Sequence, residues 1–285
     1  MSSDTTTAAD DGDRNRPLSN VRALLFDTFG TLVDWEGSVT RALEEEGTAL
    51  QRTGTELSAT DWLEFTRRWR AGYMKRTREI AAGGEGPGNI DDLHLEILNT
   101  LLDDPSYAHL SSAWSASKRK DLCQVWHRLD GSAAWPDVKP GLEELKKLDP
   151  PVLLTTLSNG TLRLLIDLAR HSSLPLDAHF SGDLLGAYKP NPRMYLGACA
   201  LLGFDEAARA RGEVALCAAH IDDLRAAETH GLRTIYLRRP TEDTAVPHGG
   251  RAVKPKSEGG EVDIVLEGAE GEEGLRGLMR ALGRV

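Results

Sequence analysis

The chain has few cysteines, no long apolar run and no excess of positive charge. Its 285 residues include three cysteines, Cys123, Cys199 and Cys217. That number is odd, the three are far apart, and none sits in a C-x-x-C pair. Neither a disulfide framework nor a thiolate zinc site is expected, and a reducing, cytoplasmic setting suits this usage. No apolar run approaches the ~20 residues of a membrane-spanning helix. The polar start, residues 1–20, lacks both a basic n-region and an apolar h-region, so a secretory signal is not expected. Lys plus Arg number 34 against 44 Asp plus Glu, a net charge of −10. Such a surface argues against nucleic acid or an anionic membrane as partner. If the substrate is an anion, its positive counter-charge must be local.

What the chain does have is core material, since 40% of its residues are hydrophobic and 27% charged. That suffices for a globular fold without staples. Residues 1–19 carry almost no large apolar side chain and read as a disordered tail. Val21 to Phe26 is a short continuous apolar run ending at Asp27, the signature of a buried parallel strand. From about Glu36 to Asp130 the period is helical. Trp62, Phe65, Trp69 and Tyr73 share one face, and Leu122, Val125, Trp126 and Leu129 another. Asp91 is read as the cap of a third helix carrying Leu98 and Leu101. Gly83 to Gly88 has G-x-G spacing but follows a helix, which removes a dinucleotide reading.

After Pro136 and Pro140 the strand pattern returns. Pro151–Leu157, Glu213–Ala219, Arg233–Leu237 and Val262–Leu266 read as further strands, with helices between them. The fold expected is α/β: a Rossmann-like parallel sheet with an all-helical cap inserted after the first strand. The core comprises residues 20–35 and 134–285 and the cap 36–133. Residues 239–261, rich in Pro, Gly and charge, read as a surface loop.

Ligands of open parallel sheets sit at the C-terminal ends of the strands. Three strands here end in polar clusters: Asp27/Thr31, Ser158/Asn159 and His220/Asp222/Asp223. Lys189 stands apart in a Pro-bracketed loop. Each has an ordinary explanation alone. Asp27 can cap a turn, Ser158 or Asn159 a helix, Asp222 and Asp223 can face a helix dipole, and a lysine is usually a surface lysine. Separate explanations do not account for all four marking one sheet edge. Together they offer a carboxylate nucleophile, a lysine that keeps it ionised, backbone N–H groups for an anion, and a second carboxylate for water.

Asp27-Thr28-Phe29-Gly30-Thr31-Leu32-Val33, Leu157-Ser158-Asn159-Gly160, Tyr188-Lys189-Pro190 and the Asp222-Asp223 segment resemble, in order, the four motifs of the haloacid dehalogenase superfamily. Its phosphatases carry a second Asp two positions after the nucleophile, where this chain has Phe29. That difference, Asp34-Trp35, the helical insert and Lys189-Pro190-Asn191-Pro192-Arg193-Met194-Tyr195 are similar to the type II 2-haloacid dehalogenases. The resemblance implies Asp27 as nucleophile, Thr31 as its orienting partner and Lys189, supported by Tyr195, as its counter-charge. It implies Ser158 for the substrate carboxylate, Asn159 for the halide and Asp223 for the hydrolytic water. Phe29 is the apolar neighbour, and a cap arginine, best matched by Arg70 rather than Arg67 or Arg68, lies beside the halide. The fourth motif departs from the usual Ser-x-Asn, carrying Ala218-Ala219-His220, so His220 is expected to take over the Asn's hydrogen bonds or alter the water geometry.

The activity implied is conversion of short L-2-haloacids to D-2-hydroxyacids through an aspartyl ester, with no metal or cofactor. The partner is a small anionic substrate, and a homodimer is left open. Two alternatives stand beside this: a Mg²⁺-dependent phosphatase of a small metabolite, favoured by Asp222 beside Asp223, and a non-catalytic ligand-binding member.

Overall fold

The computed structural model describes residues 17–52, 54, 60–129, 134–243, 252–268 and 274–283. Six strands form one parallel sheet in the order β3-β2-β1-β4-β5-β6. They are β1 (Ala23–Phe26), β2 (Leu153–Ser158), β3 (Ala178–Ser181), β4 (Val214–Ala218), β5 (Arg233–Arg238) and β6 (Ile264–Glu267). β1 is central, Phe26 pairing with Thr156 on one side and Cys217 on the other. Leu24 and Phe26 pack into one apolar cluster and Ala23 and Leu25 into the second, on the opposite face. Burial on both faces is why β1 reads as an unbroken apolar run. The chain steps outward from β1 to β2 and β3, then returns to β4 on β1's other side. Asp27 therefore stands at the point where strand order reverses, the usual ligand crevice of such sheets.

After β1, and ahead of residue 134, the described residues form five α-helices: α1 (Trp35–Arg52), α2 (Trp62–Ala81), α3 (Ile90–Leu102), α4 (Ala108–Ala113) and α5 (Ala116–Cys123). The apolar face of α2 is buried at Phe65, Trp69 and Tyr73. Its N-cap Asp61 accepts from the Glu64 N–H, satisfying one of the orphan donors of the first turn. These helices share an apolar cluster with one face of the sheet. The remaining helices are α6 (Val138–Leu145), α7 (Leu162–His171), α8 (Gly182–Leu185), α9 (Pro192–Leu201), α10 (Glu206–Ala210), α11 (Ile221–Thr229) and α12 (Gly277–Ala281). No described helix is long and apolar enough to cross a membrane.

The structure corrects several local readings. β3 is a sixth strand, missed because four residues with a central His179 carry too little pattern. The N-cap of α3 is Asn89, whose side chain accepts from Asp91 N–H; the Asp91 carboxylate instead meets His127 at 3.0 Å. The face from Leu122 to Leu129 is the end of α5 followed by a 3₁₀ turn, Gln124–His127. Neither Ser158 nor Asn159 caps α7, because Thr161 does. Of the segment 1–19, residues 1–16 lie outside the described residues, and Leu18 is fully buried, so the packed chain already includes it.

Candidate active site

Asp27 is the first residue past β1, with its N–H bonded to the Cys217 carbonyl of β4. The tight loop that follows needs Gly30, whose φ is +85°, a region disfavoured for residues with a Cβ. Far-off side chains clamp this loop. Trp135 Nε1 donates to the Gly30 carbonyl at 3.1 Å, and the fully buried Arg239 donates through Nε to the Thr31 carbonyl at 3.0 Å.

Both carboxylate oxygens of Asp27 are engaged. Lys189 Nζ donates to Oδ1 at 2.6 Å and also to Asp223 Oδ2. Thr31 Oγ1 donates to Oδ2 at 2.8 Å and accepts from the Ala219 N–H at 2.9 Å, so its hydroxyl has one direction to point. His220 Nδ1 lies 3.2 Å from the same Oδ2. On its other side His220 Nε2 lies 2.7 Å from Glu242 Oε2, and Glu242 Oε1 accepts from Trp35 Nε1 at 2.6 Å. Burial works against the charge on Asp27, but Lys189 and His220 overcome it and hold its carboxyl well below the usual carboxylate range. Burial also works against the charge on His220, and its two carboxylate neighbours outweigh it, raising the imidazole to about 10. Lys189 is raised in the same way by Asp223 and Asp27 against burial. At neutral pH Asp27 is therefore ionised between two cations, Lys189 and His220.

A cavity of about 380 Å³ opens over Asp27. Phe29, Ser158, Asn159 and His220 line it from the sheet side, and Arg70 and Tyr73 of α2 from the insertion. Asn159 Oδ1 accepts from the Lys189 backbone N–H at 2.7 Å, which leaves the two hydrogens of its amide NH₂ for the Tyr73 hydroxyl and the cavity. Ser158 Oγ accepts weakly from Gly160 N–H at 3.3 Å and keeps its O–H free. Arg70 is buried, yet among the described residues it has no carboxylate partner. Its guanidinium lies over Tyr73 at 4.5 Å and Trp35 at 5.1 Å. Aromatic faces attract a cation without using its N–H donors.

A charged carboxylate on a strand end thus faces, across a small cavity, a guanidinium that has no ion-pair partner among the described residues. The sequence pattern of the haloacid dehalogenase-like hydrolases matches residues 21–231. The chain belongs to this family. Among curated proteins, (S)-2-haloacid dehalogenase 4A of Burkholderia cepacia is 28% identical over 228 residues, covering 78% of this chain and 85% of the relative. Among solved structures, a defluorinating L-2-haloacid dehalogenase is 31% identical with a TM-score of 0.76, covering 94% of this chain and 98% of that one. An L-2-haloacid dehalogenase is 34% identical with a TM-score of 0.72, covering 93% and 100%. The fold of this hydrolase is thus the one its motifs imply.

Most of the expected site residues meet in one place. Asp27, Thr31, Lys189, Asp223 and His220 form the bonded cluster, while Phe29, Arg70, Ser158 and Asn159 line the cavity. Of the five arginines of α2, Arg78 lines the outer end of the cavity, and the three candidates for the site separate cleanly. Arg67 is exposed and paired with Glu36, Arg68 pairs with Asp104, and of these only Arg70 reaches the cavity. Tyr195 does not line it. It is fully buried in the second apolar cluster, tilted against His230, and its hydroxyl has no hydrogen-bond partner among the described residues. Its helical neighbours Met194 and Ala198 are equally buried, a core face that a motif match does not reveal. Glu242 was missed altogether. It lies in the stretch read as a surface loop, of which Arg239 and Glu242 are buried.

Proposed function

We propose that this hydrolase dehalogenates 2-haloalkanoic acids, converting an L-2-haloacid and water into a D-2-hydroxyacid, halide and a proton. The helical insertion, residues 36–133, acts as the cap over a core of residues 20–35 and 134–285. The observation that carries the reading is the pairing across the cavity of ionised Asp27 with Arg70, a guanidinium with no carboxylate of its own.

In the first half-reaction an Asp27 carboxylate oxygen attacks C2 opposite the halogen. The new C–O bond forms as the carbon–halogen bond breaks, and its electron pair leaves with the halide. Arg70 and the amide of Asn159 receive that anion, and the Ser158 hydroxyl donates to the substrate carboxylate. Halide needs no proton to leave, so Phe29 is adequate where a phosphatase needs an acid. In the second half-reaction water adds to the Asp27 carbonyl carbon. The bond to the hydroxyacid oxygen breaks, that oxygen takes one water proton, and the other passes to a base.

Esterification itself prepares the base. It removes the Asp27 charge, one of the two carboxylates that hold His220 protonated, so the imidazole becomes more acidic in the intermediate. His220, backed by Glu242, gives up its proton to solvent and then takes the second proton of the attacking water, which Asp223 polarises. This is the part played by the altered fourth motif.

The reading needs no metal. Asp27, His220 and Asp223 offer ligand atoms within 4.8 Å of one another. The Lys189 ammonium already bridges the two carboxylates, and an imidazole is a poor ligand for an ion that demands oxygen. The donor set does not fit Mg²⁺, which counts against the phosphatase alternative. The test is halide release from L- and D-2-chloropropanoate in EDTA, beside p-nitrophenyl phosphate with Mg²⁺. L-specific, EDTA-resistant turnover giving the D-hydroxyacid is expected. Strict Mg²⁺ dependence on the phosphate ester would overturn the reading. In a single turnover in ¹⁸O-water with enzyme in excess, the label should enter Asp27 and not the product.

A further inference from the structure

The cavity is too long for a three-carbon acid. One face of α2 runs the length of it, from Arg70 past Met74 and Thr77 to Ala81 and the C-cap Ala82. Arg70 and Ala81 lie three turns apart, about 16 Å along the helix axis. The volume, about 380 Å³, leads to the same conclusion. One water's share of liquid volume is ~30 Å³; with that share for each of its six heavy atoms, 2-chloropropanoate fills about half of it.

The two ends also differ in chemistry. Asp27, Lys189, His220 and Arg70 gather the charge at the inner end. Beyond Tyr73 the wall on α2 is Met74, Thr77, Ala81 and Ala82, with Arg78 among them at the rim, and Pro190 and Pro192 add apolar surface on either side of Asn191 just past Lys189, while Asp222 and Asp243 line the core side. Thr77 shows the cavity little polarity, because its hydroxyl bonds back to the Tyr73 carbonyl at 2.9 Å. An exposed ion pair, Arg78 with Asp222 at 3.1 Å, joins the insertion to α11 and marks the solvent end. A passage serving only water and a small anion has no use for an apolar lining.

We propose that the preferred substrates are 2-haloacids with an extended alkyl tail, which lies along α2 between Tyr73 and Ala82. The spare volume takes up to about six further carbons. This inference rests on the dehalogenase reading and specifies its substrate class. Each methylene that leaves water adds apolar burial, so kcat/KM is expected to rise roughly fourfold per carbon until the tail reaches Ala82.

The experiment measures bromide release by the full chain from L-2-bromopropanoate, 2-bromobutanoate, 2-bromohexanoate and 2-bromooctanoate. A rising series supports the inference. A flat or falling series, with 2-bromopropanoate turned over normally, overturns it and leaves the dehalogenase reading standing. No bromide from any member removes both. Ala81→Trp places a ring in the outer half and should cut the ratio of 2-bromohexanoate to 2-bromopropanoate kcat/KM tenfold or more. Ala82→Trp repeats the test at an exposed position where folding is not at stake. An unchanged ratio in both variants would show that the tail does not lie along α2.

Discussion

The two walls of the cavity hold their charges by different means. On the sheet side, Asp27, Lys189, Asp223, His220 and Glu242 form an unbroken series of ion pairs. On the insertion side, Arg70 rests on aromatic rings. Tyr73, below it, stacks on His94 at 5.3 Å, His94 on Trp126 at 4.5 Å, and Trp126 on Trp35 at 6.1 Å, which returns to Arg70. The imidazole in this ring is neutral: burial, then Arg70 and His127, push His94 down to about 3. An ionic wall fixes the Asp27 carboxylate in one charge state and one direction. An aromatic wall keeps a cation dry while leaving its donors unspent for an anion that must bind and then leave. The walls meet at the buried bond from Trp35 Nε1 to Glu242, and again at the exposed Arg78–Asp222 pair.

The comparison breaks first at the nucleophile. Asp27→Asn should lower kcat by about 10⁴-fold or more, since an amide cannot form the ester, with an unchanged circular dichroism spectrum. Survival of more than a few per cent of activity would remove Asp27 from that role. Next in size is Lys189→Met, which leaves the buried Asp27 and the half-buried Asp223 without the cation between them. It should cost about 3–5 kcal/mol of stability as well as rate, read by denaturant titration. It should also raise the acid limb of the kcat/KM profile as Asp27 loses its counter-charge. A stable variant with an unmoved acid limb contradicts the ionic account.

Arg70→Lys is the matching change on the other wall. It keeps the charge but not the planar stack, so kcat/KM should fall about ten- to a hundredfold while stability changes by ~1 kcal/mol. Equal losses of stability at Lys189 and Arg70 would abolish the distinction between the walls. The smallest effect belongs to Glu242→Gln. His220 is raised to about 10, above its unfolded value, so its stabilising charge is complete below about pH 6.5 and is lost as pH rises through 10. Removing one carboxylate should bring the alkaline limb of kcat/KM down by about one pH unit. A limb that stays in place assigns it to another group.

How much of this was legible in the sequence differs by wall. The ionic wall is written at strand ends. Asp27, Ser158 and His220 each follow a run of apolar residues, and parallel strands bring such ends to one edge whatever lies between them. Glu242 escaped because its burial depends on Trp35, 207 positions away, and on no local period. The aromatic wall was visible as a helical face at Trp69 and Tyr73. The choice of Arg70 over its neighbours rested on resemblance, and the ring through His94 was beyond reach, because it needs the mutual tilt of four helical segments. Tyr195 shows the opposite limit, where a matched motif position turns out to be core. Asn89 shows a signal present but misread, since Asn is as good an N-cap as Asp.

The bond between Trp35 and Glu242 has a consequence for recombination among relatives. The line Asp27–His220–Glu242–Trp35 leaves the first strand, runs past the fourth and fifth, and returns to the start of the insertion. Glu242 lies beyond the stretch that carries the family's pattern, residues 21–231. A chimera joined between β5 and Glu242 would inherit every motif intact and still be assembled from mismatched halves. Parents exchanged there should yield soluble hybrids with a displaced alkaline limb, and restoring the native pair, rather than any motif residue, should repair them.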